Sequence, residues 1–293
     1  MERLAQFILK TPLHSVLVAL FCAFFPGLFL FALIILALVT LRKGPMAGLM
    51  VAVVISAVAI GTYSYQGFLG VGIASALIEV VPIWLLSVIL RSTISLQQTV
   101  LASATIVAAF GAVLMLMGDW KAQTFYTLLS CQAGYTGETP IPESVQTTLT
   151  SVANYLAFMW PALTFVRYQV VILFARWWQS RVFNPGGFKQ EFHSLRFDKT
   201  VTMLASIVIV VGALLISTQQ SIAVAILAAA LLSIHGLSIV HWFCAKKELK
   251  GWVLIPVYAG LIVFPWLIVP VLVVLSVIDS FYSLRNGTTN KAC

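Results

Sequence analysis

Three apolar runs, residues 45–63, 67–90 and 94–117, follow one another almost without interruption and contain a single charged residue, Glu79. Each is close to the roughly 20 residues that a helix needs to cross a bilayer core. Inside hydrocarbon every backbone N–H and C=O must find its partner within the protein, which leaves helices and closed barrels as the only spanning structures. These runs lack the apolar/polar alternation of a barrel strand. The expected fold class is therefore all-α, a polytopic transmembrane helical bundle of about 8–10 spans with no soluble domain. Composition agrees, because 61% of the 293 residues are hydrophobic and 9% are charged, against roughly 45–50% and about 25% in soluble domains.

The basic residues assign sides. The chain has 17 Lys and Arg against 9 Asp and Glu, and the cations gather at the ends of apolar runs. They read as topology signals and lipid-phosphate contacts, not as a nucleic-acid surface. The positive-inside rule places Arg3/Lys10, Arg42/Lys43, Arg91, the segment 176–199 and Lys246/Lys247/Lys250 in the cytoplasm. The run 15–41 is basic on both flanks and is interrupted by Pro26-Gly27, so it is predicted to be a helical hairpin turning near Phe25-Pro26-Gly27. The run 252–284 carries Pro256, Pro265 and Pro270 and is predicted to turn near Pro265, with a single kinked span as the alternative. Two hairpins give ten crossings and none gives eight. The polar stretch 118–146, acidic and rich in turn residues, reads as an external loop. The first span reads as uncleaved, with the N-terminus, and on the hairpin reading the C-terminus, in the cytoplasm of a bacterial cell bounded by this inner membrane. Cys22, Cys131, Cys244 and Cys293 have no metal-ligand spacing, so neither a disulfide framework nor a metal site is expected.

The segment 176–199, RWWQSRVFNPGGFKQEFHSLRFDK, is the one long polar interruption besides that loop. Asn184-Pro185-Gly186-Gly187 is a turn signal. After it, Phe188, Phe192 and Leu195 recur at helical spacing, which predicts an amphipathic interfacial helix. Arg176, Trp177, Trp178, Arg181, Lys189 and Arg196 are the expected hinge and lipid contacts, the bilayer itself being the first partner. The chain thus divides into a six-span N-terminal bundle over 1–180, a cytoplasmic amphipathic hinge over 181–199, and C-terminal helical hairpins over 200–293.

The elements ARWWQ, NPGGF and EFHSLR within 175–196, with Asp279 and Arg285 closing the chain, resemble the YybS-like family of bacterial membrane proteins. The first six spans of that family are in turn similar to the substrate-capturing S-components of energy-coupling-factor transporters. The residues here that match are Ala19-x-x-x-Ala23 and Gly44-Pro45-x-x-Gly48. The resemblance implies that Ala19 and Ala23 form a small-residue helix face for a transporter coupling subunit, since small side chains let helices approach closely. Some four further spans after residue 198 lie beyond the extent of this likeness.

Ionisable groups at mid-membrane are costly unless paired or hydrated, so those present are informative. Glu79 and Arg167 fall near mid-depth and read either as a ligand site or as a structural ion pair. His235 and His241 lie about 240° apart around one helix and cannot chelate one ion; His235 reads as a packed histidine or as a third ligand-site residue beside Glu79. Asp279 is expected to form a structural ion pair near the cytoplasmic face, with Arg285 closing the motif and Arg167, Arg176 or Arg181 as partners. No HExxH, GxSxG or P-loop is present, so neither an enzyme nor a cofactor is expected. Two functions of different class follow. One is a small-molecule binding or transport component with an outward pocket lidded by 118–146. The other is a non-transporting envelope protein whose hinge docks a protein or anionic lipid.

Overall fold

The computed structural model describes residues 2–116, 120–133, 135, 141–216 and 218–285. Among these the chain is helical nearly throughout and has no strand. Helix α1 (Glu2–Lys10) meets α2 (Pro12–Phe24) at a 115° bend. The bend has a local cause: Thr11 is extended, its hydroxyl accepts from the His14 amide, and Pro12 opens α2 without an N–H to satisfy. Ser15 then donates to the Ile8 carbonyl at 2.7 Å, tying the two arms. Phe25 is extended and Pro26–Leu28 forms a 3-10 turn, after which α3 (Phe29–Lys43) begins. In α3 all ten residues from Ala32 to Leu41 are buried. A helix apolar on every side belongs at the centre of a bundle, and that is its position.

Gly44 turns the chain at φ +107°, a conformation that glycine adopts without cost, into α4 (Pro45–Tyr65). Arg91 donates to the Leu41 carbonyl at 2.6 Å and so satisfies the end of α3. The next span runs without a break from α5 (Leu69–Ser75) through a π-helical turn (Ala76–Val80) into α6 (Val81–Thr93). Pro82 accounts for the widened turn: it cannot donate to the Ile78 carbonyl, and the Val81 amide bonds instead to Ala76. The freed Ile78 carbonyl accepts from the Tyr168 hydroxyl. Then follow α7 (Leu96–Leu116), α8 (Trp120–Gln132), α9 (Glu143–Phe183), α10 (Gly187–Ser194) and α11 (Lys199–Val210), the last extended by a second π-helical turn (Val211–Ile216). The chain ends with α12 (Gln219–Lys246), α13 (Ile255–Val263) and α14 (Pro265–Tyr282).

Among the described residues, eight helices are long and apolar enough to cross a membrane, and the bent α1–α2 pair makes a ninth if it counts as one span. The predicted turn at Phe25-Pro26-Gly27 is present, and α2 packs beside α3 and α4. The second predicted hairpin is corrected. A break does fall at Phe264, but the apolar helix before it, Gly251–Val263, is too short to span by itself. Pro256 stands in the first turn of α13 and Pro265 in the first turn of α14, which marks the start of each helix.

Three further expectations change. Helix α9 is continuous over 41 residues, about 62 Å at 1.5 Å per residue, so the hinge starts at Asn184 and Arg176–Arg181 lie in its last turns. The stretch 118–146 contains helix α8 packed on α9. The boundaries at 180 and 200 do not separate independent units: one hydrophobic cluster runs from Ala5 to Leu237, and α12 packs on α9 and α7.

Candidate functional site

The π-helical turn in the α5–α6 span decides where Glu79 goes. Within the π-helical turn it reaches across to α9, where Arg167 Nη1 lies 2.6 Å from its Oε1. The two expected mid-depth charges are thus brought together. The arginine and glutamate side chains keep 31% and 21% exposure, so the pair is not fully enclosed by protein. Tyr168 beside Arg167 pins the same turn through Ile78. Replacing Glu79 by Gln is expected to lower thermal stability, and the double change Glu79→Gln/Arg167→Met to recover part of the loss. A double-mutant cycle should show coupling of about 1–3 kcal/mol; coupling near zero would mean that the pair does not hold α6 to α9.

Glu79 lines two adjoining cavities at the end of the bundle where α4 finishes and α5 begins. The larger, about 550 Å³, lies among the α2–α3 turn, the last turns of α4 and the π-helical segment, and includes Phe24, Phe29, Tyr63 and Phe68. The smaller, about 250 Å³, lies against α8 and α9 and includes Thr124, Phe125 and Trp160. Tyr63, Ser75, Glu79 and Leu128 belong to both. Helix α8, inside the predicted loop, therefore forms a wall of the space.

His235 is not at this site. It is buried on α12, with Nε2 3.0 Å from Asp279 Oδ2 and Nδ1 2.7 Å from Ser276 Oγ, both on α14. Its grouping with Glu79 and Arg167 is corrected. Asp279 is fully buried and its partners are not Arg167, Arg176 or Arg181. Its Oδ2 also accepts from Arg285 Nη2 at 3.0 Å and lies 3.7 Å from Arg196 Nε. Arg196 further donates to the carbonyls of Asp279 and Ser280, at 2.7 and 3.1 Å, in the last turn of α14, where the Asp279 carbonyl also accepts from the Ser283 amide. Arg285 donates to the carbonyls of His193 and Leu195, and Ser238 donates to Leu195 at 2.9 Å. This network clamps the hinge, α12 and α14 together. The sequence reading missed Ser238, Ser276, Ser280 and Thr202, although Ser276, Asp279 and Ser280 stand at i, i+3 and i+4 on one helical face.

The expected hinge contacts divide: Arg181 and Lys189 are exposed, and the others are partly or wholly buried. Arg176 makes a two-point pair with Glu191 of α10, with Nε 2.9 Å from Oε2, and reaches Gln179 at 2.6 Å. Trp178 is completely buried, against Phe31 and Phe174, which corrects its assignment as a lipid contact. Trp177 is partly buried and carries Arg181 over its ring. Phe192 and Leu195 are buried, so the amphipathic helix α10 faces protein. Lys189 acts on His193, whose imidazole is held below its ordinary value of 6.5 by burial first, then by Lys189 and Arg285. Ala19 and Ala23 are also buried, on the α2 face packed within the bundle, so the face assigned to a partner is already occupied. Among the described residues no group of three or more His, Cys, Asp or Glu could hold a metal ion.

Fold and site together define the class: an all-α, multi-pass helical membrane bundle with a cavity at one end and a buried charge cluster toward the other. Comparison with models of known protein families, with curated proteins and with solved structures gives no match.

Proposed function

We propose that this chain is a small-molecule binding component of a transport system in a bacterial inner membrane, with the Glu79 cavities as its ligand site. The observation that carries this is the larger cavity, about 550 Å³ and floored by a carboxylate at mid-span. Ligand sites commonly fall between about 300 and 1,000 Å³, with apolar walls and few polar groups. An ionisable group facing such a space inside a membrane is a functional-site signal. The basic ends of the spans put the opposite, Lys/Arg-rich end in the cytoplasm, so the cavity end faces outward. The likeness to the YybS-like family and, through it, to S-components belongs to this proposal. The alternative of a docking hinge is less well supported, because Arg176, Arg196 and Arg285 make their hydrogen bonds inside the molecule.

Native mass spectrometry of protein released from its own membranes in mild detergent tests the site. Wild type is expected to retain a small organic adduct. Ser75→Trp, which fills the space where the two cavities meet, should lose it. An adduct retained equally by both would overturn the assignment.

A further inference from the structure

We propose that the ligand of the Glu79 cavities is an organic cation, an amine or quaternary ammonium carried on an apolar body. The inference rests on the site reading above and adds the ligand's chemistry.

Charge comes first. Among the described residues, Glu79 is the one charged residue lining either cavity, and no Lys or Arg lines them. Arg167 engages Glu79 Oε1 but lines neither cavity. The arginine thus meets the carboxylate from the α9 side, while the cavities meet the carboxylate alone. Arg167 offsets much of the carboxylate's charge from the α9 side, yet on the cavity side an ammonium N–H can be accepted by the carboxylate directly, whereas an anion would face it with no lining cation between them.

The walls supply the second element. Phe24, Phe29, Tyr63 and Phe68 line the larger cavity, and Phe125 and Trp160 the smaller. Aromatic faces carry negative quadrupole potential and attract desolvated cations, and aromatic cages are a recurrent solution for ammonium groups. Gln66 and Thr62, also in the larger cavity, offer hydrogen bonds to a polar substituent. Among the described lining residues, an anionic ligand would meet no cationic donor. A wholly apolar ligand would strip water from the cavity side of the Glu79 carboxylate and offer it no hydrogen bond in return, which costs free energy.

Three probes of one shape separate these cases: phenethylamine, a cation at neutral pH; phenethyl alcohol, neutral; and hydrocinnamate, an anion. Binding would be measured by equilibrium dialysis on full-length protein in nanodiscs of zwitterionic lipid, with empty discs subtracted. The amine is expected to bind at least about tenfold more tightly than the alcohol, a difference of one buried charge contact, and hydrocinnamate least. Glu79→Gln should erase the preference. Because that change also strands Arg167, Glu79→Gln/Arg167→Met is the companion variant and should behave alike. Phe68→Leu should weaken the amine and spare the alcohol. If the alcohol or hydrocinnamate binds as well as the amine and Ser75→Trp abolishes that binding, the cation assignment is overturned and the site stands. If none of the three binds, or Ser75→Trp changes nothing, the site itself falls and the cation assignment with it.

Discussion

Asp279→Ala is expected to destabilise the protein by about 3–5 kcal/mol, the range seen when one partner of a buried ion pair is removed. Asp279 is fully buried, and its Oδ2 receives His235 and Arg285 with Arg196 close by. Alanine would leave Arg285, itself 11% exposed, without its counter-charge and His235 Nε2 without its partner. The loss is a large share of a stability that in most domains totals about 5–15 kcal/mol. Asp279→Asn keeps one acceptor oxygen while losing the charge and turning the other oxygen into an NH2 donor, so it should fall between wild type and alanine. Unfolding titrations in mixed micelles would read all three. An alanine variant as stable as wild type would show that α14 and the hinge are held by apolar packing alone.

Gly236→Ala should be nearly as damaging, for a steric reason. A Cβ at Gly236 would stand 2.2 Å from the Leu272 carbonyl oxygen and 2.8 Å from the Leu272 Cα. These near atoms belong to the α14 backbone, so no side chain can swing aside. Helix α14 must back away, and overpacking of this kind costs about 1–3 kcal/mol. The shift would also stretch the adjoining His235–Asp279 contact, adding to that figure. Gly61 and Gly111, within α4 and α7, have nothing within 4 Å of an added methyl. There the same substitution should be neutral or stabilising by up to about 1 kcal/mol. The sign difference between Gly236 and Gly61 or Gly111, measured in one unfolding assay, separates close helix apposition from general helix propensity.

Much of the architecture is legible because the bilayer permits so few solutions. Uninterrupted apolar length marks the spans, Pro26-Gly27 marks the first reversal, and Asn184 to Gly187 marks the hinge turn. The Glu79–Arg167 pair is legible for the same reason: two isolated mid-depth charges are strongly driven toward each other. Other features depend on tertiary distance. Arg176 and Trp178 look like interfacial residues in sequence, yet α9 continues past them and α10 folds back to offer Glu191. Length alone does not show that Gly251–Val263 stops short, because the prolines that divide 252–284 fix where helices start and not how far they reach. Arg285, six residues from Asp279, is legible as its partner, but Arg196, 83 residues away, is not, and the sequence points to Arg167, Arg176 or Arg181 in its place. Polar, turn-rich flanks hide helix α8 in the same way.

Cysteine accessibility tests the central claim, an outward-opening cavity at Glu79, most directly. In a background with the native cysteines replaced, Ser75→Cys would be treated in intact cells with a membrane-impermeant charged maleimide, beside Ser276→Cys as a buried reference, since Ser276 is fully buried. The account predicts that Ser75→Cys labels from outside the cell, while Ser276→Cys stays unlabelled. Labelling of Ser75→Cys only from the cytoplasmic side, or no faster than Ser276→Cys, would contradict it.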